Sequence, residues 1–183
     1  MTTSADGDLV AQALVDARAF GALYDRYVDD IYGYCALRLG SREAAEDATS
    51  LIFAKALGSL ARLRGPSFRA WLFGIAHHVV MDVYRSARPT LSLDAALHLD
   101  DPAASLELAA LDDESTQILV AALASLSPDQ RQVIELRLAG LTTAEISTAL
   151  ARSPGAISVA HHRAVRRLRT LLRGAGKEDL HAS

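Results

Sequence analysis

The clearest chemistry of this sequence lies in its last third. At about 100° per residue, Ser158, Val159, His162, Arg163, Arg166, Arg169 and Arg173 fall on one side of a helix. Ile157, Ala160, Ala164, Leu168 and Leu171 fall on the other. Such a helix packs by its apolar stripe and offers guanidinium groups to whatever faces it. Guanidinium groups bind phosphates, and close to a helix start they also reach guanine edges in the major groove. A solvated basic face would show the same spacing, so the elements around the helix have to decide between the two.

Other reactive residue types point nowhere so definite. His77-His78 and His161-His162 are adjacent pairs, and neighbours on a helix point about 100° apart, unlike the i, i+4 pairs that share a metal. No metal is expected, and His161, near the packed face, reads as structural. Cys35 is the sole cysteine, so it can form neither an internal disulfide nor a cysteine-based zinc site and reads as a small buried apolar residue. The sequence has no glycine-rich phosphate loop, catalytic-triad spacing or ligand cluster, which leaves an enzyme the least supported class and gives no reason to expect a cofactor.

The basic helix is preceded by two others. Ser127-Pro128-Asp129-Gln130 sets a capping hydroxyl, a proline at the first helical position and a glutamine three residues after the cap, predicting a helix to about Ala139. Thr142 and Glu145 form a second capping box for a short helix to Leu150, and Ser153-Pro154 opens the long helix to about Leu172. Short connections, with Ala151-Arg152 between the last two helices, make a helix-turn-helix.

Upstream, Phe20, Leu23, Tyr27, Ile31, Tyr34 and Leu39 recur at helical spacing up to Gly40. Ser41 then caps a helix to about Leu57, with Glu43 in its first turn. The stretch from Gly58 to Ser67 interrupts the pattern, and a long helix runs from Phe68 to about Ala87, stopped near Pro89. On that helix Phe68, Trp71, Leu72, Ile75 and Val79 share an apolar face, which assigns Trp71 to the core. His77, Tyr84 and Arg88 face outward, flanked by His78 and Arg85, whereas Asp82 falls toward the apolar side, where an ion pair within the domain suits it best.

Charge divides the chain in the same places. The net charge is -3 over 183 residues. Residues 1 to 88 carry ten Lys/Arg against ten Asp/Glu, residues 89 to 130 none against eight, and residues 131 to 183 nine against four. The expected fold is therefore all-α: two small helical domains at 9–88 and 116–173, an acidic linker at 89–115 with two prolines and many small residues, and a flexible tail at 174–183. Half the residues are hydrophobic and 22% are charged, enough apolar material for a folded chain. With neither a signal peptide nor a run of roughly 18 apolar residues, the protein is expected to be soluble and cytoplasmic, without membrane insertion.

Two stretches carry a family resemblance. Phe68 to Arg85 reads FRAWLFGIAHHVVMDVYR, similar to the signature helix of the bacterial extracytoplasmic-function (ECF) RNA polymerase sigma factors of the sigma-70 family. Ala45-Glu46-Asp47-Ala48-Thr49 with Phe53 resembles the helix that precedes it in region 2 of that family, and Leu126 to Leu172 resembles the region 4 helix-turn-helix. A stand-alone DNA-binding regulator would share only the second domain.

The resemblance implies a promoter-recognition subunit whose partners are core RNA polymerase, through the clamp of its largest subunit and the flap of its second-largest, and promoter DNA. An anti-sigma factor is a further partner found in the family. Asp47, Ala48, Thr49, Ser50 and Phe53 would then bind the polymerase. The minus 10 element would be engaged by Arg62, Arg64 and Ser67 of the loop and by His77, His78, Tyr84, Arg85 and Arg88 of the helix after it. Ser158, Val159, His162, Arg163, Arg166 and Arg169 would contact the minus 35 element. The loop would also capture a base taken out of the stack. Ala151 stands where a turn glycine is common in the family, and Ser50 and Leu51 where Gln and an acidic residue are common.

Overall fold

The computed structural model describes residues 3–65, 67–86 and 121–178, with side chains from residue 6 to residue 171 of these. All regular structure among the described residues is helical. The N-terminal domain consists of α1 (Thr3–Val15), α2 (Phe20–Leu39), α3 (Arg42–Ser59) and α4 (Phe68–Ser86), with short 3-10 turns at Ala17–Ala19 and Leu60–Arg62. A helical turn at 121–124 leads into α5 (Pro128–Leu138), α6 (Thr143–Ala149) and α7 (Pro154–Glu178).

Local chemistry sets most of the boundaries. Gly40 ends α2 in the left-handed conformation at φ 69°, and the Ser41 hydroxyl accepts from the Ala44 amide to open α3. Both amides of the Thr142–Glu145 box are satisfied: the Thr142 amide donates to Glu145 Oε2 at 2.9 Å and the Glu145 amide to Thr142 Oγ1 at 3.2 Å. Ala151, in the helix-turn-helix turn, takes φ 51°. The left-handed conformation that a glycine would adopt freely is thus imposed on an alanine, at a cost of about 1–2 kcal/mol.

In the N-terminal domain Leu23, Tyr27, Ile31 and Cys35 of α2 pack against Ile52, Phe53 and Ala56 of α3 and Phe68, Leu72, Phe73 and Val80 of α4. Burying each large side chain contributes about 1.5–3 kcal/mol. α1 is an addition to the elements read from the sequence. Its Asp6 is buried, with Arg26 and the Tyr27 hydroxyl bonded to the carboxylate, so α1 is fastened to α2 by a charge the periodicity does not mark.

The two domains share one apolar cluster, which also takes in Val133, Leu136, Leu141, Ile146 and Ile157. Helix α4 lies so close to α6 that a Cβ built on Gly74 would be 3.4 Å from the Ala149 carbonyl oxygen. One of the expected boundaries meets the structure differently. Helix α7 continues to Glu178, through the first five positions expected to form a flexible tail. The acidic linker at 89–115 and Arg88 lie outside the described residues.

Candidate nucleic-acid interface

Helix α7 presents the face its periodicity predicts. Ile157, Ala160 and Ala164 are buried against the preceding helices, whereas Ser158, Val159, His162, Arg163, Arg166 and Arg169 are all exposed. The first five of these six line one shallow depression along the helix. At the start of the helix Arg152 is paired with Asp129 of α5 at 3.2 Å, which fixes one more guanidinium beside this face. His161 is half-buried, and its pKa is lowered by that burial, then by Arg137 and His162.

The residues expected to meet the minus 10 element are dispersed. Arg62, Arg64, His78 and Arg85 are exposed. Arg64 donates to the carbonyls of Ala61 and Leu63, bracing the turn after α3. Ser67, His77 and Tyr84 are half-buried and engaged elsewhere. The Ser67 hydroxyl bonds Glu145 Oε1 at 3.2 Å, and the His77 ring lies 2.7 Å from Gln132 Nε2, both across the gap to the C-terminal domain. The Tyr84 hydroxyl donates to the Arg38 carbonyl, with the Arg38 guanidinium 5.5 Å from its ring, so Tyr84 turns inward rather than outward. Asp82 does pair with Arg85, at 3.1 Å, but from an exposed position and not from the apolar side.

The interdomain setting shifts two of these groups. His77 is pushed down to about 4, first by burial and then by Arg38 and His78, so it faces its surroundings as a neutral ring. Burial alone would raise Glu145, but hydrogen bonds from the Thr142 backbone, the Thr142 hydroxyl and Ser67 bring it below the usual carboxylate range. Arg69 reinforces the seam by donating to the carbonyls of Gly140 and Ala139, with Asp30 at 3.1 Å.

Trp71 departs from its expected place in the core. It packs on Phe68 with ring centroids 5.7 Å apart, yet it is only half-buried. It helps to line a mostly apolar cleft of about 750 Å³ between the domains, together with Lys55, Arg64, Ile75, His78 and Ala149.

The helix expected to bind polymerase is split by its own packing. Ala48, Thr49 and Phe53 are buried, Thr49 bonding the Ala45 carbonyl at 2.7 Å and Phe53 lying 4.7 Å from the Tyr24 ring. These three hold the domain together and offer no free surface. Asp47 and Ser50 remain exposed, joined by Leu51, which is 45% exposed, and by Ala54. That stripe follows from the same i, i+3, i+4 spacing that turns the other three inward.

A helical bundle followed by a helix-turn-helix with a basic outward face is the build of a DNA-binding transcription protein. Comparison with known proteins makes the class specific. Residues 23–90 match the Sigma-70 region 2 family and residues 116–168 the Sigma-70, region 4 family. The chain is 38% identical over 162 residues to the ECF RNA polymerase sigma factor BldN of Streptomyces coelicolor, covering 86% of this chain and 61% of that protein. It is 33% identical over 183 residues to the ECF RNA polymerase sigma factor ShbA of Streptomyces griseus, covering 92% of this chain and 96% of that one. Its fold is similar to that of CnrH solved in complex with the cytosolic domain of CnrY, with a TM-score of 0.71, 28% identity and coverage of 93% of this chain and 99% of that one. The chain belongs to the ECF RNA polymerase sigma factors of the sigma-70 family. No helix among the described residues is long and apolar enough to cross a membrane.

Proposed function

We propose that the protein binds core RNA polymerase and directs promoter-specific initiation, with α7 on the minus 35 element and the N-terminal domain on the minus 10 element. The observation that carries this reading is the outward face of α7, where six exposed side chains stand opposite the buried Ile157, Ala160 and Ala164 and the half-buried Leu168 and Leu171. Arg163 and Arg166 supply base or phosphate contacts and Arg169 a phosphate contact, while Ser158 and Val159 lie nearer the helix start, where base edges are read. Arg62, Arg64, His78 and Arg85 form the accessible part of the minus 10 surface. Asp47 and Ser50, with Leu51 beside them, face the clamp of the largest subunit, and the C-terminal domain meets the flap of the second-largest.

Promoter engagement at both elements requires the domains to part, because Ser67 and His77 are bonded to Glu145 and Gln132 in the packed arrangement. A protein partner that holds this arrangement would restrain the factor, and the similarity to CnrH, solved with the cytosolic domain of CnrY, supports a partner of that kind.

Reconstitution with core polymerase and a panel of promoters tests the reading: transcripts with defined starts are expected, and polymerase binding without any promoter-dependent transcript would refute it. Arg163→Ala should weaken binding at the minus 35 element by about 1–3 kcal/mol and leave polymerase binding unchanged.

A further inference from the structure

We infer that Val159 reads a thymine of the minus 35 element through its 5-methyl group, an inference that rests on the assignment of α7 to that element. The first two turns of α7, residues 154–160, contain only Pro, Gly, Ala, Ile, Ser and Val. Ile157 and Ala160 point inward, at 0% and 7% exposure. The outward positions Pro154, Gly155 and Ser158 are therefore small, and a Cβ built on Gly155 meets nothing within 4 Å. This end of the helix can approach a groove floor closely, and Val159 is the largest side chain it brings there.

Val159 is 51% exposed although it is apolar and β-branched. On a solvated helix face that choice gains nothing: valine lowers helix propensity, and its exposed methyls stay in water. A partner that covers it removes the cost. Val159 shares one depression with Ser158, His162, Arg163 and Arg166, and a second with Arg163 and the Arg152–Asp129 ion pair. Arg163 and Arg166 fix the helix against the phosphate backbone, which leaves the side chain on their N-terminal side over base edges. In the major groove the apolar feature of a base edge is the thymine methyl, the group that small apolar side chains contact. A valine beside these arginines is thus selective for thymine, where a lysine or arginine at that position would favour guanine.

The test uses polymerase loaded with the protein to select a minus 35 element from a random duplex pool. Each thymine of that element, on either strand, is then replaced by deoxyuridine, which differs only in the missing methyl. With the native protein, one replacement is expected to weaken binding about fourfold, the equivalent of one buried methyl, while the others have little effect. Val159→Ala, which suits a helix at least as well but is shorter by two methyl groups, should show a clearly smaller difference between the thymine and deoxyuridine duplexes and retain polymerase binding. No sensitive position with the native protein, or an undiminished loss with Val159→Ala, would overturn the inference while the selected element itself still upholds the assignment of α7. Failure to select any minus 35 element would instead overturn that assignment, and the inference with it.

Discussion

Arg38 Nη1 of α2 lies 2.7 Å from Glu135 Oε2 of α5, and the two side chains are 8% and 0% exposed. This ion pair joins residues 97 positions apart in sequence and belongs to both domains at once. Glu135 also accepts from Arg131 Nε at 2.8 Å, and Arg38 Nη2 reaches Met81 Sδ at 3.6 Å. Burial disfavours the charge on Arg38, but Glu135 and Tyr34 more than offset it, so the guanidinium stays ionised. A charge taken out of water is tolerated here because its partner is supplied by the other domain.

Removing either partner should therefore be costly. Glu135→Leu leaves Arg38 buried without a carboxylate, and a loss of about 3–5 kcal/mol is expected in denaturant unfolding. Combining it with Arg38→Met should recover much of that loss, because the fully buried guanidinium is gone and only the partly exposed Arg131 lacks its carboxylate. Strictly additive single and double variants would mean that the two side chains do not meet in solution.

His77 predicts a pH dependence with a definite sign. Its folded value of about 4 lies below the ordinary histidine value, so the unfolded chain binds more protons between about pH 6.5 and pH 4. Stability should be full above pH 6.5 and fall as the pH drops through that window. Because the ring is partly exposed, the loss should be about 1–2 kcal/mol. Unfolding midpoints at pH 7.5 and pH 5 should differ less for His77→Gln than for the native protein, and equal differences would remove His77 as the cause.

Gly74 offers a way to part the domains without touching a charge. A Cβ there already meets the Ala149 backbone at 3.4 Å, so Gly74→Leu should wedge α4 away from α6. Small-angle scattering should report a larger radius of gyration with helical content unchanged. Because Ser67 and His77 are freed at the same time, promoter complexes should form at lower protein concentration. An unchanged radius would show that the seam accommodates the side chain.

Much of the site was legible because it is local. The capping box at Thr142 and Glu145, the stop at Gly40 and the two faces of α7 each depend on residues within about two turns of one another, the range over which caps and helical spacing act. The mixed fate of the α3 residues was less legible. Asp47 and Ser50 share a short segment with Ala48, Thr49 and Phe53, and family likeness groups residues by segment, whereas burial separates them by angle around the helix.

The sequence by itself determined the all-α class, most of the helix boundaries and the outward set on α7 through nearest-turn chemistry, and the two regions in their order through family resemblance. Only the tertiary structure decided that Arg38 meets Glu135, that Ser67 and His77 face Glu145 and Gln132, that Tyr84 turns inward, and that Asp6 fastens an additional helix. Periodicity shows which face of a helix avoids water but not which element covers it. A buried arginine reads like a surface one until its carboxylate arrives from another domain.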